Sequence, residues 1–230
     1  MSFDYYDYLD TSFDCQLEEI GLKWLPWIGR DFSKSQPKVI ILGESMKDWK
    51  PEDKSTIEKI NTNKKLIRGI IGKYAIGNTK HNLKHARGLE RAIFNKKTPE
   101  TKDIRRLWER VIFNNLVLRS MSSIKERPNY DDYAEGWSKF IEMALITKCD
   151  KCIFYGTDMN KVNALKKYLK KEDCAYSYNK YEKIGNSIPK LLSFIHKGLT
   201  IEILFIGHPS RYFSWDKYHS IINRHLGFTI

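Results

Sequence analysis

The sequence predicts an α/β fold in three layers, α/β/α, built on a central four-stranded parallel sheet. Three observations carry this expectation. Four short runs, VIIL (39–42), VIF (111–113), CIFY (152–155) and IEILFI (201–206), are predominantly apolar rather than alternating. Strands buried on both faces of a parallel sheet read this way. Segments with helical periodicity separate the runs, and that alternation gives parallel strands joined by right-handed crossovers. Polar, glycine-bearing stretches begin where the runs stop, as loops at strand ends do.

In chain order, residues 1–36 form an acidic, helical N-terminal extension. Its opening, MSFDYYDYLDTSFD, carries four aspartates and no base, which excludes the basic n-region of a secretory signal. The first strand run ends at Gly43. Residues 50–87 are strongly basic and weakly patterned, and read as an elaborated loop. GLERAIF and TKDIRRLWERV are the helical segments before the second run, with Pro99 and Thr101 marking a helix start. YDDYAEGWSKFIEMALITK leads into the third run and DMNKVNALKKYLKK follows it. Residues 172–187 read as a second polar loop, and SIPKLLSFIHK as a helix before the fourth run. SWDKYHSIINRHL closes the chain, with Ser214 placed to cap it. No repeat or low-complexity linker divides the chain, so residues 1–230 read as a single domain.

The balance of 40 Lys+Arg against 28 Asp+Glu gives a formal charge of +12. Such an excess suits a polyanionic partner, because cations that neutralise phosphates release counterions. No apolar run reaches the ~20 residues of a membrane helix. The expectation is a soluble, cytoplasmic monomer without a membrane partner. Cys149 and Cys152 form a C-x-x-C, but Cys15 and Cys174 supply no second close pair. Buried thiols are the expected reading, with no metal and no cofactor. Neither G-x-G-x-x-G nor a P-loop pattern follows any run, so no dinucleotide or triphosphate cradle is indicated.

In open parallel sheets, ligands bind beyond the carboxyl ends of the strands. That rule gathers GESMKDW, NNLVLRS, GTDMNK and GHPSRYF at one edge. These four stretches resemble the motifs of the uracil-DNA glycosylase superfamily. Gly43-Glu44-Ser45-Met46-Lys47-Asp48 resembles its glycine-led first motif, GQDPYH in one branch and GEAPG in another. Asn115-Leu116-Val117-Leu118 resembles its asparagine motif, with Asn114 as an alternative register. His208-Pro209-Ser210-Arg211-Tyr212 resembles its closing HPSPL. Ser45 stands where one branch has a water-positioning aspartate, Lys47 replaces an aromatic, and Arg211 replaces the second proline.

The resemblance implies a uracil-DNA glycosylase-like fold and a monofunctional DNA glycosylase. Such an enzyme hydrolyses the N-glycosidic bond of a flipped uracil or modified pyrimidine. The departures fit a reshaped pocket, and some branches remove hypermodified cytosines from phage DNA, so antiviral defence stands beside DNA repair as a role. The chemistry needs a carboxylate near the sugar, for which Glu44 is the first choice and Asp48 the second. It also needs a donor at the base oxygen, for which His208 serves. Gly43, Ser45 and Asn115 would bind the base, with Trp49 or Tyr74 stacking on it. Ser210 would grip a flanking phosphate and Tyr212, beside Arg211, would fill the space left by the flipped base. Lys64, Lys65, Arg68, Lys84 and Arg87 would track the DNA backbone. The alternative is a catalytically inactive nucleic-acid-binding module with the same fold.

Overall fold

The computed structural model describes residues 4–47, 54–77, 83–123, 125–210 and 212–227. The strands are β1 (Trp27–Ile28), β2 (Val39–Lys47), β3 (Val111–Met121), β4 (Lys151–Tyr155), β5 (Tyr176–Lys180), β6 (Lys190–His196) and β7 (Leu199–Ile206). The helices are α1 (Asp14–Glu19), α2 (Lys54–Thr62), α3 (Leu66–Ile71), α4 (Lys84–Phe94), α5 (Thr101–Trp108), α6 (Tyr130–Thr147), α7 (Met159–Lys171) and α8 (Trp215–Leu226).

All seven strands join one sheet in the order β1-β3-β2-β4-β7-β6-β5. The neighbours β3-β2, β2-β4 and β4-β7 run parallel, while β1, β6 and β5 pair antiparallel. The α/β class holds, but the sheet is mixed and larger than the four parallel strands expected. Alternate residues of the inner strands feed two cores. Ile40, Leu42, Ile112, Cys152, Phe154, Ile203 and Phe205 face a layer containing α1, α6 and α7. Val39, Ile41, Val111, Phe113, Ile153, Tyr155, Leu204 and Ile206 face a layer containing α3, α4, α5 and α8. That burial on both faces is why these runs lack alternation.

Local signals fix the helix ends. At α6, the Asp132 N–H donates to Asn129 Oδ1 and the Asn129 N–H to Asp132 Oδ2, both at 2.9 Å, a reciprocal capping box. At α7, Asp158 Oδ1 accepts from the Asn160 N–H at 2.8 Å. Thr101 opens α5 as expected. Ser214 precedes α8 but makes no side-chain cap bond; its carbonyl accepts from Lys217 and Tyr218.

Three sequence expectations are corrected. SIPKLLSFIHK is not a helix: Lys190, Leu192, Phe194 and His196 turn inward on alternate positions of β6. Lys197 (φ 48°) and Gly198 (φ 80°) then close a tight hairpin onto β7. Residues 172–187 contain the edge strand β5, and residues 50–87 contain α2, α3 and the start of α4, with a wider helical turn at Gly72–Gly77. Cys149 and Cys152 are buried, and burial pushes both thiols up, as expected of packed side chains. No described helix is long and apolar enough to cross a membrane.

Candidate functional site

The carboxyl ends of β2, β3, β4 and β7 share one edge of the sheet. The first motif is not a loop there. β2 continues through Gly43, Ser45 and Lys47, paired with Asn115, Val117 and Met121 of β3, with a bulge after Ser45. Asn115 accordingly sits within β3 rather than at its end. The extension has a consequence for chemistry, because successive strand residues point to opposite faces. Gly43 and Glu44 serve different sides.

Gly43 faces the α4/α8 layer. A Cβ at Gly43 would collide with Asn115 Oδ1 and lie 3.6 Å from the Phe113 ring. Only glycine leaves room for the Asn115 amide to lie over β2 at this point. Beside it four rings gather: His85 stacks on Phe113 at 5.9 Å and meets His208 at 6.4 Å, and Tyr155 lies 6.0 Å from His85 and 5.8 Å from His208. His85 comes from the first turn of α4. Gly88, one turn later, admits the Pro209 carbonyl, where a Cβ would collide. That close approach seats the His-Pro-Ser loop on the helix.

The Ser210 N–H donates to His208 Nδ1 at 3.3 Å, and Ser210 Oγ lies 2.8 Å from the same nitrogen. With Nδ1 accepting from the Ser210 N–H, a neutral His208 carries its proton on Nε2. Burial, reinforced by His208 and Arg87, pushes the His85 pKa down to about 4. His85 is thus neutral at physiological pH. Two hydroxyls of this region, Ser45 Oγ and Tyr155 Oη, are buried without a hydrogen-bond partner. Each such group costs about 1–3 kcal/mol, and functional sites are where proteins tolerate that cost. Glu90 and Arg87 form a buried ion pair behind the rings, with Trp108 Nε1 donating to Glu90 at 2.8 Å.

Glu44 faces the α6/α7 layer. It pairs with the buried Lys161 ammonium and accepts from Tyr133 Oη at 2.9 Å. Gly156 (φ 115°) clears the path, since a Cβ there would lie 2.8 Å from Lys161 Nζ. Side chains from α6 and α7 thereby hold one carboxylate. Glu44 and His208 lie against opposite helical layers, so the sheet edge separates the carboxylate from the imidazole.

Other expected site residues divide sharply. Asp48, Trp49 and Arg211 lie outside the described residues. Tyr74 has Lys73 over its ring at 5.1 Å, and its carbonyl accepts from Arg87 at 2.7 Å. Tyr212 is 93% exposed with φ 49°, while Phe213 stacks on Tyr218 at 4.5 Å. Lys84 is exposed. Arg68 is no backbone-tracking residue: it is 2% exposed and forks onto both Asp14 oxygens at 2.8 and 2.6 Å. Arg87 also turns inward, to Glu90. Lys64 is exposed but pairs with Glu18 at 3.2 Å, and Lys65 lies 5.3 Å from the Tyr6 ring.

His85, Tyr155 and Lys161 were not foreseen. The histidine-bearing stretch KHNLKHARG hinted at the first; nothing local marked the other two. A cavity of about 440 Å³, lined by Asp31, Lys34, Pro37, Leu107 and Arg110 among others, opens at the amino ends of β2 and β3, away from these groups. Comparison of the chain with known protein families, curated proteins and solved structures finds no match.

Proposed function

We propose that the chain is a monofunctional DNA glycosylase that hydrolyses the N-glycosidic bond of a flipped uracil or modified pyrimidine. One observation carries the reading: Asn115, the His208 ring and two buried hydroxyls without a hydrogen-bond partner share a sheet face with a cluster of rings. An amide offers donor and acceptor to a base edge. Nε2–H donates to the base oxygen as negative charge grows there, and a neutral His85 adds no competing cation. Tyr212, exposed at the end of the loop, would enter the vacated stack. Glu44, paired with Lys161 and hydrogen-bonded by Tyr133, would stabilise the sugar cation and orient water from across the sheet edge, with Asp48 next in line.

A second reading, a nucleic-acid-binding module without catalysis, is favoured by Glu44's commitment to the layer opposite His208. Oligonucleotides carrying uracil or glucosylated hydroxymethylcytosine, single- and double-stranded, separate the two. Incubation followed by alkali should give strand breaks on at least one substrate. His208→Ala and Asn115→Ala should each slow release by roughly 10²–10³-fold, as loss of one preorganised donor does, with DNA affinity retained. DNA binding without breaks on any substrate would establish the module instead.

A further inference from the structure

A set of cations without ion-pair partners among the described residues lies away from the candidate site, on α7 and the edge strand β5. Lys167, Lys170, Lys171 and Lys180 are exposed, and Lys166 is partly so. Among the described residues, none of them takes part in an ion pair; their acidic neighbours in sequence, Glu172, Asp173 and Glu182, pair with none of them. Tyrosines carry the cations instead. Lys166 Nζ lies 3.4 Å from the Tyr178 ring centroid and 5.8 Å from that of Tyr176, and Lys167 lies 4.7 Å from that of Tyr130. The Lys166 pKa is lowered by burial and by the charges of Lys180 and Lys170, which shows repulsion left unrelieved within the protein.

The direction of the strip is set by the sheet. β5 is antiparallel to β6, which is antiparallel to β7, so β5 runs parallel to β7. Lys180 aligns with Lys190, and Lys190 with Phe205 near the end of β7. The strip therefore starts at the edge that bears the His-Pro-Ser loop. Lys190 anchors that start: it is 5% exposed and donates to the carbonyls of Thr157 at 2.6 Å and Ile188 at 3.0 Å. On α7, positions 166, 167 and 170 share one helical face.

We infer that the α7/β5 strip binds the sugar–phosphate backbone of the nucleic acid strand flanking the candidate site. Charge complementarity identifies the partner: a row of cations without ion-pair partners, backed by tyrosine faces and leading from the strand ends, matches a polyanionic chain. The inference rests on the nucleic-acid part of the proposed function and not on base release.

The test replaces Lys166, Lys167, Lys170 and Lys180 together by Gln. A control replaces Lys34, Lys97, Lys102 and Lys148 by Gln, four exposed lysines outside α7 and β5. Affinity for a fluorescent oligonucleotide is measured from low to high salt. Each lost phosphate contact removes about 0.9 from the log–log salt slope on duplex and about 0.7 on single strands. The strip variant should lose roughly 3 from its slope and more than tenfold in affinity, and the control less than a third of that. Equal losses in both variants, an unchanged strip variant, or a loss confined to anionic vesicles would overturn the inference. If the fourfold variant loses its folded circular dichroism, Lys167→Gln with Lys170→Gln should still lower the slope by about 1.4–1.8. Binding through the strip without base release would fail the enzyme alone; base release with unaltered affinity would fail the strip alone.

Discussion

Residues 64–87 and 159–180 are both rich in lysine and arginine, yet the folded protein treats them oppositely. In the first, Arg68 is buried on Asp14, Arg87 on Glu90, and Lys64 meets Glu18. The acidic N-terminal extension supplies two of those three partners, so much of the charge is spent inside the molecule. In the second, Lys161 meets Glu44, but Lys166 and Lys167 stand on tyrosines, and Lys170 and Lys180 repel Lys166 with no ion-pair partner among the described residues. Charge density along a sequence thus says little about charge available to a partner. What matters is which cations tertiary contacts have already neutralised.

The largest test of this contrast is Asp14→Asn. It removes the negative charge that offsets the buried Arg68 guanidinium, leaving as acceptors one amide oxygen and the Pro26 carbonyl at 2.9 Å. Removing one partner of a buried pair costs about 3 kcal/mol or more, and chemical denaturation should show it. Replacing both residues by apolar ones, Asp14→Leu with Arg68→Met, should recover most of the loss, because no buried charge remains. A near-neutral Asp14→Asn would break the contrast.

A smaller effect concerns protons. His85 belongs to the first region, and its pKa is pushed from 6.5 to about 4. A base whose folded pKa is depressed contributes stability above its unfolded pKa and loses it as pH falls towards the folded value. Between pH 7 and 5 the loss should be on the order of 2 kcal/mol from this group. It should be reduced in His85→Asn, and NMR titration of the His85 ring should show its midpoint near 4. A midpoint near the ordinary 6.5 would show that the region still accepts charge.

The smallest expected effect sharpens the contrast from the other side. Lys170→Gln and Lys180→Gln sacrifice no ion pair and relieve repulsion. Each should leave stability within about 0.5 kcal/mol, or raise it slightly.

Much of the interior was legible because its strands are buried on both faces, which writes uninterrupted apolar runs into the sequence. The edge strands were not. β5 is largely polar, and β6 places leucines and phenylalanine at spacings that also fit a helix, so only the Lys197-Gly198 turn betrayed the hairpin. Asn115 and His208 could be picked out as polar residues in or just after apolar runs. His85 could not, because its meeting with Phe113 and His208 depends on α4 docking against the His-Pro-Ser loop through Gly88. Lys161 lies 117 residues from Glu44, and no local pattern connects them.

The sequence by itself determined which segments are buried, the class of fold they build, and the order in which Gly43, Asn115 and His208 follow the apolar runs. Tertiary structure alone decided that β2 runs on past Gly43, which sends Asn115 and Glu44 to opposite faces. The physical reason is the strand's two-residue period. Which face a side chain takes depends on where pairing with a distant strand stops, and that pairing is invisible to any local window.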